Sequence, residues 1–297
     1  MNLPNLKHLQ YLLALHQHKH FHRAANACFV SQSTLSSAIL KLEEQLNCQL
    51  VERDHKRFIF TPQGNHVVEM ARKLLVSANE LVSFAQHQGD PVKGAIRVGC
   101  IHTIAPYLLT DFIQTCQKRL PELSLYLVEG TTESLTLKLA DGELDLILLA
   151  LPVSTGGFHC KVLGKDRFNI AGNVELIKRF KDSYDYTNLP PESIFLLSSE
   201  HCMTDHAVSA CKLADITRIN SFSASSIATL VQMTAYHKGV TFLPEMAVNK
   251  GVGLAEGLTI EKLPGNMYRD IGLLWRTTSM RQQLFSTIVD ILKPLLA

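Results

Sequence analysis

With 297 residues, 46% of them hydrophobic and 19% charged, the chain reads as two or more folded units with real cores, not as a disordered segment. Its longest apolar stretch, LDLILLALPV at 144–153, is far short of the roughly 18 residues of a membrane span. The opening MNLPNLKHLQYLLALHQHKH has no basic lead or small-residue cleavage site, so no membrane and a cytoplasmic location are expected.

Charge is uneven: residues 1–88 carry nine Lys or Arg against six Asp or Glu, and the remainder twenty against twenty-one. The N-terminal part therefore suits a polyanionic partner. There, NLKHLQYLLALHQ has helical apolar spacing, and FHRAANACF supplies small residues that let helices approach closely. After VSQ, the segment STLSSAILKLEEQL places Leu35, Ile39, Leu42 and Leu46 on one face, with Ser31 as an N-cap candidate. The opposite face presents Gln32, Ser33, Thr34, Ser36, Ser37 and Lys41, short hydrogen-bonding groups at a helix start. This is the pattern of a helix-turn-helix whose second helix enters the major groove. In VERDHKRFIF, Arg53, Lys56 and Arg57 flank a strand at 58–60, a wing with cations for phosphates. An ordinary helical domain with a solvated basic loop is the alternative.

Thr61 and Pro62 mark the N-cap and first position of a long helix. Val67, Ala71, Leu74, Ala78, Leu81 and Ala85 repeat along it at an average of about 3.5 residues, the period of a helix that pairs with a second copy. Packing against its own chain is the alternative. QGDPVKG at 88–94 reads as the linker that follows.

From there strands and helices alternate. Strands are expected at 95–101, 123–129, 144–150, 193–198, 216–222, 239–244 and 270–276, and helices at 105–118, 131–142, 204–214, 225–238 and from 279. The alternation predicts a mostly parallel sheet, in two lobes with a cleft between them. No dinucleotide or P-loop glycine pattern appears, and no cofactor or metal is expected.

Seven cysteines stand at 28, 48, 100, 116, 160, 202 and 211. In a reducing compartment any disulfide among them would be transient or sensing. EHCMTDHAVSAC at 200–211 sets two of them nine residues apart. By spacing alone this pair is compatible with buried thiols, a catalytic pair or an occasional bond. A zinc site from His201, Cys202, His206 and Cys211 lacks CxxC or HxxxH spacing.

FHRAANACFVSQSTLSSAILKLEEQLNCQLVER closely resembles the winged helix-turn-helix of LysR-type transcriptional regulators. The likeness continues through GCIHTIAPYLL, HCMTDHAVSAC and GVTFLPEMAV, and the cysteine pair matches the hydrogen-peroxide-sensing members. The resemblance implies an α/β fold: a winged helix-turn-helix at 1–61, a linker and dimerisation helix at 62–91, and a two-lobed effector domain at 92–297, like a periplasmic binding protein. Lobe I would comprise 92–163 and 268–297, and lobe II 164–267. It further implies a regulator, not an enzyme, with operator DNA, peroxide and RNA polymerase as partners, working as a homodimer or homotetramer.

By the same resemblance Cys202 reacts with peroxide and Cys211 resolves the product to a disulfide, while Thr103, Thr132, His201, Asp205 and Arg269 surround the peroxide. Ser33 stands where the family usually has proline, and Thr204 where an arginine is common. A helix over 204–213 would hold the two thiols too far apart to join, so bonding would require the segment to unwind. A regulator sensing a small metabolite in the cleft, and a thiol peroxidase, are the competing readings.

Overall fold

The computed structural model describes residues 3–53, 58–86, 92–183, 185–200, 202–210, 216–265 and 267–296, which fall into two compact units, Met1–Gly89 and Asp90–Ala297. In the first, α1 (Leu6–His18), α2 (Phe21–Ala27) and α3 (Gln32–Leu46) form a bundle, followed by a hairpin of β1 (Val51–Arg53) and β2 (Phe58–Phe60). Two of the helices start where a side chain supplies a missing backbone partner. Asn5 Oδ1 accepts from the Lys7 amide at 2.8 Å, and Ser31 Oγ accepts from the Thr34 amide at 3.1 Å. Leu9, Leu12 and Leu15 meet Leu35, Ile39 and Leu42 in one core, each set at helical spacing.

Helix α4 (Pro62–Gln86) begins at Thr61, whose Oγ1 accepts the Gly64 amide at 2.8 Å and donates to the Gln49 carbonyl at 2.8 Å. That one hydroxyl both caps the helix and ties it to the hairpin. Along α4 the observed burial divides the expected stripe. Ala71 is buried with Val68 and Leu75 in the core of its own unit, and Val67 packs against that core. The exposed apolar row is instead Met70, Leu74 and Leu81, four and seven residues apart, still a heptad seam.

The second unit runs β3 (Gly94–Ile101), α5 (Ala105–Arg119), β4 (Leu123–Gly130), α6 (Thr132–Ala140), β5 (Leu146–Leu151), β6 (Phe158–Gly172), α7 (Val174–Ser183), β7 (Ile194–Leu197), α8 (Cys202–Ala210), β8 (Ile219–Ala224), α9 (Ile227–Tyr236), β9 (Val240–Pro244), α10 (Glu245–Asn249), β10 (Thr259–Lys262), β11 (Tyr268–Arg276) and α11 (Gln282–Leu292). The strand order is β4-β3-β5-β11-β6-β9-β7-β8, with β10 beside β6. Strands pair in parallel within each lobe, β3 with β4 and β5, and β7 with β8 and β9. The middle of the sheet is antiparallel, which corrects the expectation of a mostly parallel sheet. There β11 pairs with β5 and β6, and β6 with β9.

The strand that joins the lobes is β6. Residues 158–167 pair with β11 and residues 168–172 with β9, so one continuous strand passes from lobe I to lobe II. Each lobe has its own core: Ile96, Leu148, Ile271 and Phe285 belong to lobe I, and Phe168, Phe195, Leu230 and Phe242 to lobe II. Among the described residues, no helix is long and apolar enough to cross a membrane.

Candidate functional site

The parallel neighbours β3 and β4 end in register, Ile101 opposite Gly130, so the turns that follow them lie side by side at one end of lobe I. Thr103 lies in the first turn. Thr131 caps α6, its Oγ1 accepting from the Ser134 amide at 3.3 Å, and Thr132 is the first residue of that helix. Lobe II meets these turns with α8. Met203 and Ala207 bury themselves in the lobe II core, whereas Cys202 packs against the core of lobe I.

At about 100° per residue, positions 202, 206, 203 and 207 span one continuous arc of α8. Asp205 falls outside that arc. The helix therefore carries Cys202 and His206 toward lobe I and leaves Asp205 exposed. Asp205, three residues along from Cys202, is exposed and is not among the residues that line the cavity beside Cys202. His206 occupies the position next to Cys202 one turn along. It hydrogen-bonds the Pro152 carbonyl of lobe I, while its Nδ1 is buried without a partner. Burial, and then the charge of Arg269, hold its imidazole below the usual histidine range, which keeps it neutral. Thr204 Oγ1 donates to the Leu197 carbonyl at 2.8 Å, fastening the start of α8 to the end of β7. The hydroxyl at this position is thus engaged in holding the helix.

Between these walls is a cavity of about 10 Å³, lined by Ile101, Thr103, Thr132, Glu200 and Cys202 among others. That is room for one water-sized molecule. Both threonines aim chemistry into it. Thr132 Oγ1 is buried and has no hydrogen-bond partner. Thr103 Oγ1 accepts from Arg269 Nη1 at 2.7 Å, and Arg269 Nη2 donates to the Thr103 carbonyl at 2.9 Å. With one lone pair taken by a cation, the Thr103 hydroxyl keeps its own proton free to donate.

Arg269 itself does not line this cavity. It is 1% exposed, and its Nε and Nη2 lie 3.0 and 2.9 Å from Asp166 Oδ2. Burial pushes the Asp166 carboxyl up, and the Arg269 charge and the Met246 amide hold it down in part. Arg269 is thus a buried strut that orients Thr103. Cys211 and His201 lie outside the described residues. Of the other cysteines, Cys100 is buried and pushed well up, chiefly by burial, and Cys116 is pushed up to about 11 for the same reason. These two are core thiols, while Cys160 is exposed.

In the first unit, Gln32, Ser33, Thr34, Ser37 and Lys41 are exposed along the start of α3, and Ser36 is half-buried. Arg53 ends β1, and the turn that follows, with Lys56 and Arg57, lies outside the described residues. Sequence reasoning missed the neighbouring wall. A groove of about 450 Å³ separates α3 from α1, with Lys7, His8 and Tyr11 facing Ser33, Ser37 and Lys41. His8 Nδ1 is buried there without a partner. The apolar spacing of α1 marked only its buried side, and the packing shows that its polar residues share a groove with α3.

A helix-turn-helix with a hairpin wing, followed by a two-lobed α/β unit with a cavity between the lobes, defines a DNA-binding regulator that carries its own sensor. Residues 6–65 match the bacterial regulatory helix-turn-helix of the lysR family, and residues 89–297 match the LysR substrate binding domain. The chain belongs to the LysR family of transcriptional regulators. It is 36% identical to the HTH-type transcriptional regulator EstR of Acinetobacter baylyi over 296 residues, 99% of this chain and 98% of that protein. It is 33% identical to the DNA-binding transcriptional dual regulator OxyR of Escherichia coli over 292 residues, 97% and 95% of the two chains. The reduced form of the regulatory domain of OxyR2 from Vibrio vulnificus superimposes with a TM-score of 0.67 at 45% identity, covering 70% of this chain and 98% of that one.

Proposed function

We propose that this regulator is switched by hydrogen peroxide at Cys202. The observation that carries the reading is the size and lining of the Cys202 cavity. Its volume of about 10 Å³ excludes a metabolite but suits a molecule not much larger than water, and its walls bring two threonine hydroxyls to the sulfur. The likeness to OxyR and OxyR2 points the same way.

In the proposed reaction the Cys202 thiolate, in the first turn of α8, attacks one peroxide oxygen. The O–O bond breaks, sulfur is oxidised to a sulfenic acid, and the leaving hydroxide, hydrogen-bonded by the Thr103 and Thr132 hydroxyls, takes up the proton that the thiol gave up on ionising and ends as water. His201, adjacent in sequence, is a further donor in this scheme, and Arg269 acts by holding Thr103. The Cys211 thiolate then attacks the Cys202 sulfur, forming the disulfide and releasing a second water once the hydroxyl is protonated. Cellular dithiols reset the pair.

The helical geometry supports a structural consequence. The Cα atoms of residues 202 and 210 of α8 are about 12 Å apart at ~1.5 Å rise per residue. Chain connectivity keeps the next Cα within about 3.8 Å of the last. A disulfide needs Cα atoms about 4.4–6.8 Å apart, so α8 must unwind before the bond closes. Unwinding would withdraw Met203 and Ala207 from the lobe II core and Cys202 from lobe I, changing how the lobes meet.

The DNA arm of the proposal uses Gln32, Ser33, Thr34, Ser36, Ser37 and Lys41 in the major groove, with Arg53, Lys56 and Arg57 at phosphates. Two copies pair through the Met70, Leu74 and Leu81 row of α4, matching paired half-sites, with tetramers formed from dimers. RNA polymerase is the downstream partner, and the cytoplasm, where DNA and reducing thiols are found together, is the compartment. The test is sulfenic-acid trapping by dimedone in the Cys211→Ser variant during brief exposure to micromolar peroxide. Labelling confined to Cys202 supports the reading. Label spread over the exposed cysteines, with Cys202 unmodified, overturns it.

A further inference from the structure

His206 holds a buried nitrogen that nothing satisfies, one helical turn from Cys202. In α8 it follows Cys202 by four residues, a spacing that brings Cβ atoms to about 5–6 Å. Helical side chains lean toward the helix N-terminus, so the imidazole lies over the turn that carries Cys202. The same arc of α8 turns both toward lobe I, where His206 hydrogen-bonds the Pro152 carbonyl. A carbonyl only accepts, so the ring nitrogen bonded to it carries a proton. In the neutral ring the other nitrogen is then a bare acceptor. That nitrogen is Nδ1, buried and without a partner among the described residues.

A buried acceptor without a donor is costly, and the thiol one turn back is a donor that needs a base. The cavity walls supply no better one. Thr103 and Thr132 present hydroxyls, and Glu200 is an exposed carboxylate that accepts from Ser198 Oγ at 3.1 Å. In ordinary side chains an imidazole, ~6.5, is far closer to a thiol, ~8.5, than a carboxylate is, ~4.3. Of the charged groups around His206, Arg269 of β11 opposes the imidazolium and Asp205 of α8 itself favours it. Strand β7, which also packs against α8, is Ile-Phe-Leu-Leu and carries no charge. Burial outweighs both charges, so a proton taken up by this ring is released again rather than kept.

We infer that His206 Nδ1 accepts the Cys202 thiol proton and returns it to the hydroxide that peroxide leaves behind. In the resting protein the thiol donates to Nδ1. As sulfur attacks the near oxygen of peroxide, the S–H proton passes to Nδ1, the S–O bond forms and the O–O bond breaks. Sulfur is oxidised and peroxide reduced. The hydroxide released beside the sulfur is a far stronger base than imidazole, so it takes the proton back and leaves as water, and His206 ends neutral as it began. The inference rests on the redox reading above. Thiol ionisation also governs alkylation, which needs no peroxide, so the two can fail separately.

The experiment follows Cys202 by mass in the reduced full-length Cys211→Ser protein across about pH 5.5–10, with hydrogen peroxide and, separately, with iodoacetamide. An isolated cysteine slows about tenfold for each unit of pH below ~8.5. With His206 as acceptor the proton stays within the pair, so the rate is nearly flat between ~6.5 and ~8.5 and falls only as His206 itself is protonated. Adding His206→Gln is expected to abolish the flat region and slow the reaction on the order of tenfold or more near neutrality. The two rates meet above about pH 9, where thiolate forms without help. Trp275 fluorescence verifies the fold of the variant, and the profile of the parent protein tests the inference even if the variant does not fold. A parent rate that falls tenfold per unit of pH throughout overturns the assignment. So does a flat region that survives in His206→Gln, or a variant slower by one factor at every pH, as a purely structural role gives. A His206-dependent profile with iodoacetamide and no reaction with peroxide sinks the redox reading and keeps the acceptor. Reaction with peroxide that ignores His206 does the reverse.

Discussion

Arg269→Met removes the strut behind Thr103 and tests whether it is as integral as its burial suggests. The side chains of Arg269 and Asp166 are 0% and 3% exposed, so solvent screening discounts little of their interaction. Breaking such a pair from one side strands a buried carboxylate and costs about 3–5 kcal/mol. The Thr103 carbonyl loses its Arg269 donor as well, which adds about 1 kcal/mol or more. For an effector unit of this size the loss lowers the melting temperature by on the order of 10 °C. Trp275, the single tryptophan, lies in β11 against Phe285, so its fluorescence follows this unit during urea or thermal unfolding.

Without its cation, the folded-state pKa of Asp166 rises further above the unfolded value. A carboxyl raised in this way is destabilising once pH passes its unfolded pKa, so the deficit of the variant grows as pH rises from 4 toward neutrality (about 4 being the ordinary carboxyl range). Asp166→Leu combined with Arg269→Met removes the stranded charge and restores most of the stability. A single variant that costs less than about 1 kcal/mol, or a double variant as unstable as the single, would refute this account of the strut.

Three further outcomes follow from the same geometry. His206 is held below its ordinary value of 6.5, so the unfolded chain binds the proton first. Its contribution to stability is full above that pH and lost as pH falls through the folded-state value, and Trp275-monitored unfolding of His206→Gln should show a flatter acid limb than wild type. Leu74→Glu with Leu81→Glu should turn the proposed dimer into monomers by sedimentation while leaving the helix-turn-helix melting transition in place, because both side chains are exposed and Ala71 and Leu75 hold the core. Lys41→Ala should weaken operator binding across sequences and reduce the slope of log affinity against log salt by about 1, measured by fluorescence anisotropy at several salt concentrations.

The helices were the most legible part of the chain, because their apolar spacing and caps are local. Ser31, Thr61 and the Leu35, Ile39, Leu42 row are where periodicity puts them. Long-range pairing was not legible. FHCKVLGKDRFNIAG forms the 15-residue strand β6, yet its charges and glycines obscure the alternation of an ordinary strand, since one half pairs in each lobe and its faces change environment midway. That strand, with β11, also makes the centre of the sheet antiparallel.

At the site, resemblance supplied Thr103, Thr132, Cys202 and Arg269 as neighbours by chain position, but not their geometry. It could not show that Arg269 is spent on Asp166 and Thr103, because Asp166 lies 103 residues away in sequence. Nor could it show which side of α8 faces lobe I, and so His206, weighed only as a zinc ligand, was not placed beside Cys202 toward lobe I. The period that buries Met203 and Ala207 was the available signal.

The most direct test of the redox account follows the thiols and the DNA in one sample. Full-length reduced protein on operator DNA receives a brief pulse of micromolar peroxide, and aliquots go to thiol mass mapping and to footprinting. The account predicts that a Cys202–Cys211 bridge appears together with a shifted footprint, and that both vanish in Cys202→Ser. A bridge that forms while the footprint stays still, or a footprint that shifts in Cys202→Ser, would contradict it.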